Sequence, residues 1–106
     1  MSWDVSIVIY TGDDRLAQVE EVRNVTYNNS LLFSALNIHP KQQSDTKCSS
    51  YILPIRRALR ELKNNRSEYE KYEPENKWGG IDDSIDFLTR LLAATERHYL
   101  AEVSWN

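Results

Sequence analysis

Two segments at opposite ends of the chain alternate apolar and polar residues with a period of two, and this limits the fold more than any other feature. Residues 3–10 (WDVSIVIY) set Trp3, Val5, Ile7 and Ile9 on one side and Asp4, Ser6, Val8 and Tyr10 on the other. Residues 99–105 (YLAEVSW) set Tyr99, Ala101, Val103 and Trp105 on one face. A strand needs ladder partners for its backbone N–H and C=O groups. The last strand therefore needs the first, and everything between them must fold back over one sheet.

The intervening sequence supplies a hairpin and helices. Thr11-Gly12-Asp13-Asp14 reads as a turn. Residues 15–27 read as the second strand, although Leu16, Val19, Val22 and Val25 recur every three residues rather than two. That spacing implies a bulge or two short strands; a helix over 15–22 is the rival. Asn28-Asn29-Ser30 is a helix start, residues 31–38 form a short buried helix, and His39-Pro40 ends it. Residues 40–49 are a polar loop. Residues 50–64 are an amphipathic helix with Ile52, Ile55, Leu59 and Leu62 as its stripe and Pro54 in its first turn or so. Residues 64–80 form a polar linker. Residues 82–98 form the second long helix, capped by Asp82 or Asp83, with Ile81, Ile85, Leu88 and Leu92 as its stripe, widened by Phe87 and Leu91.

The implied fold is one α+β domain over residues 1–106. A small antiparallel sheet, the N-terminal hairpin plus the C-terminal strand, is packed on one face by two or three helices in the order β-β-α-α-α-β. A chain of 106 residues is long enough for such a core without staples. The expected interior is Val5, Ile7, Ile9, Leu32, Phe33, Leu36, Ile55, Leu59, Leu62, Ile85, Leu88 and Leu92.

Charge and composition narrow the function. A net charge of −3 opposes general binding to duplex nucleic acid, which needs a basic footprint. No apolar run approaches the ~20 residues that span a bilayer, so no membrane partner is expected. The single cysteine, Cys48, forms no intrachain disulfide, and the start carries no secretory signal, so a cytoplasmic location is expected. His39, His98 and Cys48 have no metal-ligand spacing, and no phosphate-loop or dinucleotide fingerprint occurs. Catalytic residues, metal ligands and cofactors are accordingly none.

Three features stand out. Asn24-Val25-Thr26-Tyr27-Asn28-Asn29 concentrates amides, a hydroxyl and a phenol where a strand becomes a helix; capping chemistry explains it most simply, and a polar pocket wall is the sharper alternative. Trp78-Gly79-Gly80 precedes a helix, where an indole can stack and a backbone can be approached closely, although Asp82, Asp83 and Asp86 would repel an anion there. Arg56, Arg57, Arg60 and Lys63, with Arg66 beyond, form a cationic face that is most simply solvated surface. If the chain has a pocket, the expected site joins Tyr27, Asn28 and Asn29 to Trp78 and Gly79, with Arg60 or Arg66 neutralising an anion.

Trp3-Asp4-Val5, Asn24-Val25-Thr26-Tyr27-Asn28, Trp78-Gly79 and Ala101-Glu102-Val103-Ser104 together resemble a family of small uncharacterised bacteriophage and prophage proteins. Many members carry Met or a second aromatic soon after the Asn-Thr-Tyr-Asn segment; Leu32 and Phe33 stand there in this chain. The resemblance implies a non-enzymatic accessory protein of the host cytoplasm. Such a protein acts by occupancy, binding and blocking or sequestering a host protein or a small nucleotide-like signal, in a role that counteracts host defence. A small nucleotide-processing enzyme using Tyr27, Asn28 or His39, and a structural or assembly module that forms a homo-oligomer, are the alternatives.

Overall fold

The computed structural model describes residues 1–12 and 16–106. Among these residues seven strands and α-helices follow one another: β1 (Ser2–Tyr10), β2 (Leu16–Thr26), α1 (Ser30–Ala35), α2 (Cys48–Asn64), α3 (Arg66–Tyr69), α4 (Ile81–Arg97) and β3 (Glu102–Trp105). The sheet order is β2-β1-β3, antiparallel throughout, so the first strand of the chain is central. β3 pairs with Val5–Val8, and Asp4 and Asn106 exchange two backbone hydrogen bonds of 2.8 and 3.1 Å. The α+β order expected from the alternating ends is present, with the one-turn α3 inside the segment read as a linker. The expected turn at 11–14 lies partly outside the described residues.

The threefold spacing in β2 has a structural cause. Val5 pairs with Arg23 and Ser6 with Glu21, then Ile7 pairs with Glu20 and Val8 with Gln18. Val22 and Val19 are therefore supernumerary, each the extra residue of a bulge. The regular positions opposite Val5 and Ile7 carry Arg23 and Glu20, and both reach α4: Arg23 to Asp83 and Asp86 at 2.7 Å each, Glu20 to Arg97 at 2.5 Å. Bulged Val22 packs on the core in their place.

Most of the expected interior is buried, with three corrections. Ile9 is 42% exposed because the hairpin overruns the helical layer. Ile85 and Leu92 are half-buried, because the face that α4 buries is rotated toward Ser84, Phe87, Leu91 and Ala94. Tyr99 belongs to a turn rather than to β3, since Ala101 N–H bonds back to His98 O at 2.8 Å and the strand begins only at Glu102.

Two further boundaries differ. α1 ends at Ala35, ahead of His39-Pro40. Asn37 adopts φ 59°, and Ile38 N–H donates to Phe33 O while Asn37 N–H donates to Ser34 O, which closes the helix by a Schellman motif. The segment read as a loop over 40–49 contains a 3₁₀ turn at Pro40–Gln42 and then lies along the outer edge of β3. Val103 N–H donates to Thr46 O at 2.7 Å, and Cys48 and Ser49 N–H groups donate to Ala101 and Tyr99 carbonyls. These last bonds satisfy free donors at the start of α2, so the helix begins at Cys48 and Pro54 falls in its second turn. Among the described residues no helix is long and apolar enough to cross a membrane.

Candidate functional site

β2 ends at Thr26, whose Oγ1 accepts from Asn28 N–H at 3.2 Å and caps a 3₁₀ turn over Tyr27–Asn29. The three side chains of this turn leave in three directions. Asn29 points inward and is fully buried. Its Oδ1 accepts from Gly80 N–H at 2.7 Å and its Nδ2 donates to Asp83 Oδ2 at 3.0 Å. Asn28 Nδ2 approaches Asn76 Oδ1 at 3.5 Å, and the same Asn76 oxygen accepts from Trp78 N–H at 3.0 Å. Tyr27 packs on Trp3, with ring centroids 4.5 Å apart.

The start of α4 is organised from outside the helix. Gly80 occupies the N-cap and supplies no side chain, while Asp82 and Asp83, the expected caps, lie inside the first turn. The free donors are met by Asn29 at Gly80 and by Glu73 Oε2, 3.3 Å from Ile81 N. Gly79 has φ 94°, and a Cβ there would fall 2.4 Å from Asn29 Oδ1 and 2.8 Å from Thr26 Cγ2. The close approach at Gly79 is thus made by the protein's own side chains.

The expected site residues divide accordingly. Asn29 and Gly79 are in contact, and Asn28 and Trp78 are joined through Asn76. Trp78 itself is 74% exposed. Arg66 pairs with Asp82 at 2.9 Å, a bond that raises the guanidinium pKa above its ordinary value. Arg60 lies exposed on α2. Tyr27 turns to a groove that Trp78 does not line.

That groove, of about 440 Å³, is walled by Trp3, Tyr27, His39 and Trp105, with Ser30, Pro40 and Lys41 completing it. His39 and Trp105 meet Trp3 edge-on, at 5.5 and 5.4 Å between centroids. Trp3 also lies 6.2 Å from Phe33, and Phe33 and Trp105 both contact Phe87, so the walls are anchored in the core. Trp105 Nε1 donates to Tyr51 Oη at 3.1 Å, and Ser30 Oγ donates to Tyr27 O at 2.6 Å. His39 Nδ1 accepts from Lys41 N–H at 3.1 Å, which fixes the loop that carries the lysine. Burial first, and then the Lys41 charge, hold the imidazole below its usual pKa, so it is neutral at pH 7. Among the described residues the groove offers aromatic surface and one cation, and no carboxylate lines it.

Lys41, Trp105 and the pairing of Trp3 with Tyr27 were not singled out from sequence. A signal existed: a tryptophan lies near each end of the chain, in strands that must pair. The register Val5↔Trp105 brings the two indoles together. Comparison of the chain with protein-family models, with curated proteins and with solved structures finds no match.

Proposed function

We propose that the protein is a non-catalytic binding protein that captures a nucleotide-like ligand, a planar ring bearing an anionic group, in the groove around Trp3. One observation carries this: exposed aromatic surface on rings fixed by the core lies beside Lys41, in a groove that no carboxylate among the described residues lines. Aromatic faces hold a base by stacking, and a lysine ammonium at the rim suits a phosphate. The same cation disfavours a quaternary ammonium guest, the other ligand of aromatic cages. Sequestration of such a signal inside a host cell is the role that agrees with the phage resemblance.

Calorimetric titration with AMP, GMP and cyclic dinucleotides tests the proposal. Binding by at least one is expected, weakened about tenfold, or ~1.4 kcal/mol, by Lys41→Ala and by Tyr27→Ala. Trp78→Ala should leave the affinity unchanged. If no nucleotide binds, the proposal falls. If Trp78→Ala weakens binding and Lys41→Ala does not, the ligand belongs to the Asn28–Trp78 loop.

A second reading is favoured by Trp78. An indole exposed to 74%, on a loop whose backbone is held at Lys77 φ 63° and Gly79 φ 94°, suits a host-protein contact. Loss of partner capture on Trp78→Ala, with nucleotide affinity intact, separates the two.

A further inference from the structure

Arginine is used in two ways among the described residues. Arg23, Arg66, Arg90 and Arg97 each bond to a carboxylate of the same chain, and Arg56 reaches Glu96 at 3.5 Å. Arg57 and Arg60 have no such partner among the described residues, although the chain carries carboxylates in excess, with a net charge of −3. Both are exposed on the outward side of α2. Leu53, one turn before Arg57 and on the same face, is 67% exposed. Arg56 and Lys63 extend the face along one flank. The carboxylate that helical spacing offers Arg57 is Glu61, four residues on, and it is turned elsewhere: its Oε2 accepts from Asn65 Nδ2 and from Tyr69 Oη, each at 3.1 Å. Arg60 has Arg56, Arg57 and Lys63 as its neighbours three and four residues away. Like charges at that spacing weaken a helix, so the cluster works against the fold that carries it.

We propose that the outward face of α2 docks an acidic amphipathic segment of a partner protein, its carboxylates taken by Arg57 and Arg60 and an apolar side chain set against Leu53. Charge complementarity names the partner: a guanidinium fork matches a carboxylate, and unpaired arginines around an exposed leucine reproduce the apolar centre and polar rim of a protein interface. The other anionic partners fit less well. Single-stranded nucleic acid is held by aromatic stacking, and no exposed position of α2 carries an aromatic residue. A duplex-binding protein engages roughly 6–10 phosphates, more than four cations on one helix can meet. A helix that lies on lipid needs its apolar side free, whereas Ile55, Leu59 and Leu62 of α2 are buried in the core. The surface is separate from the groove around Trp3 and stands whether or not a nucleotide binds there.

Fluorescence anisotropy of a labelled amphipathic helical peptide of Glu, Ala and Leu, titrated with the full chain, tests the proposal. Binding that weakens with added salt is expected. The double variant Arg57→Glu with Arg60→Glu should weaken it about tenfold or more, and Leu53→Ala about threefold. Arg57→Gln with Arg60→Gln removes the charges without reversing them and should also weaken binding, so the test survives if the glutamates disturb the helix. Lys47→Glu with Lys71→Glu makes the same change in net charge at exposed positions away from this face and should leave the affinity unchanged. Absence of peptide binding overturns the proposal. Equal losses in the lysine and arginine variants reduce the effect to net charge and overturn it too. Tighter binding of oligothymidylate or of anionic phospholipid vesicles than of the peptide, lost in the arginine variants, assigns the face to phosphate groups instead and overturns it.

Discussion

Asn29 Oδ1 and the backbone nitrogen of Gly80 lie 2.7 Å apart across 51 positions of sequence. With the bond from Asn29 Nδ2 to Asp83, this one buried amide ties the end of β2 to the start of α4. It fixes where the Trp78 loop begins and where the Tyr27 turn leaves the sheet.

Asn29→Ala should destabilise the protein by about 1–3 kcal/mol, because a buried N–H at Gly80 loses its acceptor. Urea denaturation measures the loss. Wild-type stability in this variant would show that the amide is dispensable.

Gly79→Ala and Gly12→Ala form a controlled pair. Both glycines have positive φ, 94° and 86°. Among the described residues a Cβ at Gly12 meets nothing within 4 Å, whereas at Gly79 it meets Asn29 and Thr26 inside contact distance. Both variants should lose about 1 kcal/mol to backbone strain. Gly79→Ala should lose clearly more, read as the difference between their urea midpoints.

Cys48 is buried in the core, and burial first, then the Glu102 charge, push its thiol from 9.0 up to about 11. Alkylation by iodoacetamide at pH 8 should therefore be slow in the native protein and fast in denaturant. The raised value keeps the proton on the folded form. Its stabilising contribution is fully present below pH 9 and is lost as pH rises through about 11. Cys48→Ala should flatten that part of the stability–pH curve.

Removal of residues 99–106 strips the central strand of its partner along Val5–Val8 and uncovers Ile7 and the apolar side of α4. The product should aggregate, since a bare edge beside apolar surface templates further pairing. A truncated chain that stays monomeric and melts cooperatively would show that β3 is not needed.

The sheet was legible because alternation at both ends is a local signal with one simple global solution. The β2 bulges were half legible: a spacing of three announced an irregularity, but only pairing against β1 identifies Val19 and Val22 as the extra residues. The α4 cap was not legible. Asp82 and Asp83 have the right chemistry, yet the donors are met by Asn29 and Glu73, distant in sequence and brought there by the fold. The candidate site followed the same division. Tyr27, Asn28 and Asn29 were found as an unusual polar cluster, but their three directions depend on the 3₁₀ turn. The aromatic groove depends on Trp3, His39 and Trp105, which converge only when strand register and the 39–41 loop are both in place.

The placement of β1 between β2 and β3 also sets a schedule for biosynthesis. β1 and β2 leave the ribosome together, but the other edge of β1 waits for residues 102–105. At about 5–20 residues per second that wait is on the order of ten seconds. A chain stalled or clipped before Glu102 carries an unfinished sheet, the kind of surface that chaperones hold and proteases cut. Emergence of residues 102–105 is thereby the step that commits this polypeptide to its native state.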